Sequence, residues 1–264
     1  MAYKGDKPMA SSQGNGSDKL GVHKRELNSV LSGVEKRTLV WIAERLPRWV
    51  NSDHLTVLGA LGTLGTGLAF AAASVEPLAL LLVPVMLAVN WFGDSLDGTV
   101  ARVRNAQRPR YGFYVDHVVD VVNATVLFTG LALSGLASPW IAAALLVAYL
   151  LLAAESFLAT HTLGVFRISF GGFGPTELRI LLSIGALVAI GRPLVNPFGL
   201  GEFYLFDVGG LIGAVGMFGA FIANAARNTA ALYRAEPLPR PFEPARLTRA
   251  VRVSQEPDPG LTRA

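Results

Sequence analysis

Read as a pattern of apolar and polar positions, the chain divides into a polar start, six long apolar runs and a polar end. The runs cover approximately residues 54–74, 77–97, 115–136, 138–162, 176–195 and 205–228. Each is near the ~20 residues that a helix needs to cross hydrocarbon. The fifth is interrupted by Gly185, Gly191 and Pro193, whereas the first and sixth are rich in glycine, which suits close helix packing. Ahead of them, Leu27, Val30, Leu31, Val34, Trp41, Ile42 and Trp49 recur at roughly helical spacing among Lys24, Arg25, Lys36, Arg37, Arg45 and Arg48. This predicts an amphipathic juxtamembrane helix over residues 24–50, lying on the membrane surface. A helix packed against protein is the alternative. The expected fold is an all-α integral membrane bundle of six transmembrane helices preceded by that surface helix. Its membrane domain spans residues 51–232, between disordered tails at 1–23 and, Pro- and Arg-rich, at 233–264.

Composition agrees: 52% of residues are hydrophobic and only 16% charged, too apolar for an ordinary soluble domain. With no cysteine, disulfides, thiolate metal sites and cysteine nucleophiles are excluded. No apolar stretch near the start resembles a cleavable signal. Of the Lys and Arg residues, nine precede residue 54, four lie from Arg102 to Arg110, two are Arg167 and Arg179, and seven follow from Arg227. The three connections on the opposite side hold Arg192 alone. By the positive-inside rule both termini are cytoplasmic, as expected of a bacterial inner-membrane protein, with the basic tail near anionic lipid. No nucleic-acid partner is expected.

The chemistry gathers between the second and third runs. Asp94-Ser95-Leu96-Asp97-Gly98-Thr99-Val100-Ala101-Arg102 is followed by Gly112-Phe113-Tyr114-Val115-Asp116-His117-Val118-Val119-Asp120. Asp94 and Asp97 are spaced i, i+3 and Asp116 and Asp120 i, i+4, so each pair shares a helix face. Ionisable groups at a membrane boundary are costly and point to bound metal or a transport path. Oxygen ligands without His or Cys favour Mg²⁺, Mn²⁺ or Ca²⁺ over zinc. Two ions on shared carboxylates would stabilise charge on a phosphoryl group in displacement. Gly98, Ala101 and Gly112 leave room for a ligand against the backbone, and Arg102 offers a planar donor fork for phosphate. A transporter using the carboxylates as an ion path is the competing class, but it would not require those residues at fixed offsets.

The pattern D-x-x-D-G-x-x-A-R, nine residues, then G-x-x-x-D-x-x-x-D resembles the signature of the CDP-alcohol phosphotransferase (phosphatidyltransferase) family. All eight fixed positions are present, and the helix plan resembles the family over about residues 24–230. The resemblance implies an enzyme of phospholipid biosynthesis that moves a phospho-alcohol from a CDP-alcohol to an acceptor hydroxyl and releases CMP. It implies that Asp94, Asp97 and Asp116 hold divalent ions, two Mg²⁺ or Mn²⁺, and that Asp120 completes the site and acts as general base. Gly98, Ala101, Arg102 and Gly112 would accommodate the cytidine diphosphate, with Thr56 fitting the pattern near the first run. Asp53 departs from it, standing where Asn is common. A homodimer is a family-level expectation.

The substrate pair is less marked. Asp116-His117, the stretch Thr160-His161-Thr162-Leu163-Gly164, and Gly174-Pro175-Thr176-Glu177 resemble the choline/ethanolamine phosphotransferase branch. That branch pairs a CDP-head-group donor with a diacylglycerol acceptor, the arrangement favoured here. His161 and Glu177 are then acceptor-site candidates, although either also suits a helix end. Glu155, within the fourth run, is a third candidate. Asn90 and Asn123 suit the same cavity or a bridge between helices. The alternative is a CDP-diacylglycerol donor with a small alcohol acceptor: glycerol phosphate, inositol phosphate or serine. A phosphorylated acceptor calls for a basic pocket, for which Arg167 and Arg179 are candidates.

Overall fold

The computed structural model describes residues 32–163 and 175–236, together with residue 238. The predicted tail at 1–23, the start of the amphipathic helix, Arg167 and most of the C-terminal tail lie outside the described residues. The described chain is almost entirely helical: α1 Ser32–Arg45, α2 Ser52–Ala72, α3 Leu82–Val103, α4 Pro109–Leu133, α5 Pro139–Leu163, α6 Pro175–Gly191 and α7 Leu205–Ala235. Residues up to Ala226 form one compact unit and those from Arg227 a second.

Among the described residues, five segments are long and apolar enough to cross a membrane: Ser52–Ala72, Pro77–Val103, Pro109–Leu133, Pro139–Leu163 and Leu205–Ala235. The fifth apolar run differs. Its helix ends at Gly191, two residues before Pro193, and is 17 residues long. Leu194–Val195 then pairs antiparallel with Phe203–Tyr204, so the last part of the predicted run is strand. Proline cannot continue the helical bonding, and this is where the helix stops.

The boundaries follow local chemistry. Asn51 caps α2, its Oδ1 accepting the His54 amide at 3.0 Å, while its own amide donates to His54 Nδ1 at 3.4 Å. This reciprocal pairing satisfies two amides of the helix start. Pro109 sits in the first turn of α4 and Pro139 begins α5, where a missing N–H costs nothing. Between α3 and α4 the chain turns through Asn105 with φ 51°, a left-handed conformation that asparagine tolerates.

Helix α2 is the hub, and glycine lets its neighbours approach. A Cβ on Gly93 of α3 would lie 2.3 Å from the Gly59 nitrogen, and one on Gly62 2.5 Å from the Asn90 nitrogen. On the other flank, a Cβ on Gly130 of α4 would meet the Gly67 carbonyl oxygen at 2.2 Å. These are backbone-to-backbone contacts, the arrangement that small residues permit between membrane helices. Phe70, Leu80, Val83 and Leu131 form a buried core away from the aspartates, closed by Phe206 edge-on to Phe70 at 5.5 Å. Near the aspartates, Leu39 and Ala43 of α1 are buried with Leu55, Leu96 and Val100. Thus α1 packs one face on the bundle and leaves Lys36, Arg37, Trp41 and Arg45 exposed.

Candidate active site

Because α3 and α4 both pack on α2, the ends that carry the four aspartates face one another. Carboxylate oxygens of Asp94, Asp116 and Asp120 lie within 4.8 Å of each other, and all three residues are half-buried. Among the described residues this is the only such gathering of three or more acidic, His or Cys side chains. Three carboxylates at that spacing repel, and a cation relieves the repulsion. One comes from α6: Arg179 Nη2 donates to Asp94 Oδ2 at 2.5 Å and its Nε to Asn90 Oδ1 at 2.7 Å. Asn90 in turn donates from Nδ2 to the Gly59 carbonyl at 2.9 Å, so it bridges α3 to α2 as well as fixing the guanidinium. An oxygen-only cluster of this kind fits a hard divalent ion.

Asp97 stands apart from the three. Its Oδ2 accepts from Thr56 Oγ1 of α2 at 2.8 Å and its Oδ1 from the Gly98 amide. It remains close enough to feel the charges of Asp94 and Asp116. Thr56 Oγ1 also lies within 3.1 Å of the Ser52 carbonyl, an alternative acceptor for its single proton, so the polar start of α2 orients this fourth carboxylate.

The signature glycines differ from those of the helix seam. A Cβ on Gly112 would meet nothing within 4 Å, and one on Gly98 only the Arg102 guanidinium, at 3.3 Å. Packing of the described residues does not require either glycine. Arg102 donates from Nη2 to Thr99 Oγ1 at 3.0 Å, holding its fork beside Gly98. Across the α3–α4 turn, Arg108 pairs with Asp53 and lies 4.0 Å over the Tyr111 ring. Asp53, Thr56 and Tyr111 line one end of a groove of about 320 Å³ that continues past Asn123 between Val57, Leu61 and Val122.

The remaining candidates lie on α4, α5 and α6. His117 is buried, its Nδ1 donating to the Phe113 carbonyl at 2.6 Å, with ring centroids of Phe113 and Phe157 at 4.0 and 4.2 Å. It packs α4 on α5. His161 is exposed in the last turn of α5, Glu155 is half-buried within α5, and Glu177 is half-buried in the first turn of α6. Of the two arginines proposed for a basic pocket, Arg179 reaches the cluster.

Sequence patterns did not single out Tyr149 or Glu35. Tyr149 of α5 is within electrostatic reach of Asp120, Asp94, Asp116 and Arg179. An isolated phenol in an apolar run carries a signal, but not the face it occupies. Arg104 donates to the carbonyls of Leu46 and Pro47 at 2.9 and 3.1 Å and to that of Val50, fixing the turn between α1 and α2.

Residues 49–222 match the family model of the CDP-alcohol phosphatidyltransferases. The chain belongs to the CDP-alcohol phosphatidyltransferase family. It is therefore a transferase of phosphorus-containing groups, and its apolar helices make it a membrane enzyme of phospholipid synthesis. The matched segment of this phosphatidyltransferase contains all eight signature positions and Arg179, while α1 precedes it. A crystal structure of Mycobacterium tuberculosis phosphatidylinositol phosphate synthase with CDP-DAG bound is similar, at TM-score 0.46 and 21% identity, covering 78% of this chain and 98% of that one. No match was found among curated proteins.

Proposed function

We propose that the chain transfers a phospho-alcohol group from a CDP-alcohol to an acceptor hydroxyl with release of CMP, using two divalent ions, Mg²⁺ or Mn²⁺. The observation that carries this is the three-carboxylate cluster beside two glycines that the fold itself leaves open. Asp94, Asp116 and Asp120 would hold an ion, and Asp97, shared with Thr56, would contribute to the second. Bound there, the ions would offset charge on the diphosphate as its bridge breaks. Gly98, Ala101 and Gly112 give the nucleotide diphosphate room, and Arg102 supplies donors to it. Asp120 takes the proton of the acceptor hydroxyl as its oxygen attacks the β-phosphorus. One P–O bond forms, the pyrophosphate P–O bond breaks, and CMP departs with the bridging oxygen.

The same reading has six helices in the membrane, α6 crossing despite its length, with α1 on the surface beside them. Exposed Trp41 and the Arg45 guanidinium 4.2 Å from its ring suit an interfacial position for that helix. Both termini and the aspartates are then cytoplasmic, where a water-soluble nucleotide reaches them, and the enzyme is expected to work as a homodimer.

For the substrate pair, the His161 and Glu177 pattern supports a CDP-head-group donor with diacylglycerol. Arg179 favours the second reading. A guanidinium already beside Asp94 is placed to receive an acceptor that carries phosphate, such as glycerol phosphate or inositol phosphate, with CDP-diacylglycerol as donor. Lipid product analysis separates the two. Purified enzyme is given CDP-choline or CDP-ethanolamine with dioleoylglycerol, and separately CDP-dioleoylglycerol with glycerol phosphate, inositol phosphate or serine. Phosphatidylcholine or phosphatidylethanolamine supports the first pair and a phosphatidyl-alcohol the second. No lipid product from any pair, with either ion, would reject the transfer reading.

A further inference from the structure

Helix α1 precedes the segment shared with the family, yet one of its side chains reaches both helices that frame the site. Glu35 Oε1 accepts from Trp91 Nε1 of α3 at 2.8 Å and from Thr176 Oγ1 of α6 at 3.0 Å. All three residues are half-buried. Thr176 is in the first turn of α6, and Arg179 follows three residues later, on the same side of the helix. Trp91 is next to Asn90, the other partner of Arg179. One carboxylate oxygen therefore ties the start of α6 to α3 close to the place where Arg179 meets Asp94 and Asn90.

We propose that Glu35 is a positioning residue: it holds the first turn of α6, and with it Arg179, against the aspartate cluster. It acts on Arg179 through Thr176. Helix α1 is fixed for this task along its length. Leu39 and Ala43 are buried against the bundle, and Arg104 of the α3 end binds the turn after α1. Glu35 thus hangs from an element that does not itself belong to the site. The local bonding requires an acceptor oxygen, not a charge, because both donors are neutral. Glutamine in place of Glu35 can present a carbonyl oxygen to the same two donors, whereas alanine cannot.

The inference rests on the metal-site reading only for its second readout. The first is geometric. The chain has no cysteine, so Val103→Cys and Leu178→Cys, both at exposed positions at the ends of α3 and α6, give a single spin-labelled pair on the full-length protein. The distance distribution of this pair is expected to broaden or shift with Glu35→Ala and with Thr176→Val. It is expected to stay as in the parent with Glu35→Gln and with Trp91→Phe, which removes only the bond to α3. Unchanged distributions in both Glu35→Ala and Thr176→Val would overturn the proposal, as would equal changes in Thr176→Val and Trp91→Phe.

The second readout is Mn²⁺ affinity, followed from the free-ion signal in electron paramagnetic resonance with no substrate present. Releasing a guanidinium from a ligand carboxylate removes a like charge from the cation's site, an effect of about tenfold in affinity. Arg179→Ala is expected to tighten Mn²⁺ binding by that order, Glu35→Ala and Thr176→Val by a smaller factor in the same direction, and Glu35→Gln not at all. If Arg179→Ala leaves Mn²⁺ binding unchanged, the metal-site reading of Arg179 fails, and the label distances still decide the role of Glu35. If Arg179→Ala tightens binding while Glu35→Ala does not, the positioning role fails by itself.

Discussion

The seam between α2 and its neighbours and the mouth beside the aspartates both use glycine, for opposite reasons. At the seam, a Cβ on Gly93, Gly62 or Gly130 would run into backbone atoms at 2.2 to 2.5 Å, which cannot move aside. At the mouth, a Cβ on Gly112 meets nothing, and one on Gly98 meets the far end of the Arg102 side chain. The seam glycines make the fold by letting helices touch. The mouth glycines leave space that none of the described residues fills. A glycine inside a helix costs about 0.5–1 kcal/mol relative to alanine, and at Gly98 and Gly112 the adjoining carboxylates indicate a ligand.

The largest effect that would test this division belongs to the mouth. Asp120→Asn is expected to lower kcat by about 10²- to 10⁴-fold, the range of general-base catalysis, without changing the thermal unfolding midpoint appreciably. A matching loss of stability would show that the aspartate serves the seam. Next, Gly93→Ala at the seam should destabilise by about 1–3 kcal/mol through overpacking, read from thermal unfolding in detergent. The smallest effect is at Gly112. Alanine there should leave stability equal or raised by up to about 1 kcal/mol, while raising the KM for the CDP-alcohol. Gly216 of α7, where an added Cβ would likewise meet nothing within 4 Å, is its control: Gly216→Ala should share the stability gain without the rise in KM. If Gly112→Ala and Gly216→Ala behave alike in both measurements, the mouth glycine has no ligand role.

How much of this was legible in the sequence divides along similar lines. The eight signature positions are close in sequence and at helical spacings, so the pairing of Asp116 with Asp120 could be read directly. The apolar runs also located five spanning segments, the first and fourth runs within two residues at both ends, the second, third and sixth missing one end by six or seven. What sequence could not resolve were contacts between distant helices. Asp97 turns to Thr56, 41 residues earlier, and so leaves the three-carboxylate cluster. Arg179 reaches Asp94 across 85 residues, and Glu35 reaches Thr176 across 141. Such pairs depend on the rotation of each helix about its axis, and a near-uniform apolar run such as α5 carries little information on rotation. His117 shows the same gap: its place beside Asp116 in sequence does not reveal that one helical step turns it between Phe113 and Phe157.

Catalysis by the aspartate cluster of transfer from a CDP-alcohol, with divalent ions, can be tested on the first product released. The most direct measurement is CMP release by the purified full-length protein from a panel of radiolabelled CDP-alcohols, with Mg²⁺ or Mn²⁺ and with chelator. The expected result is release from at least one donor that requires the ion and is lost in Asp120→Asn. Wild type and Asp120→Asn equally inactive on every donor, with no nucleotide bound by either, would contradict it.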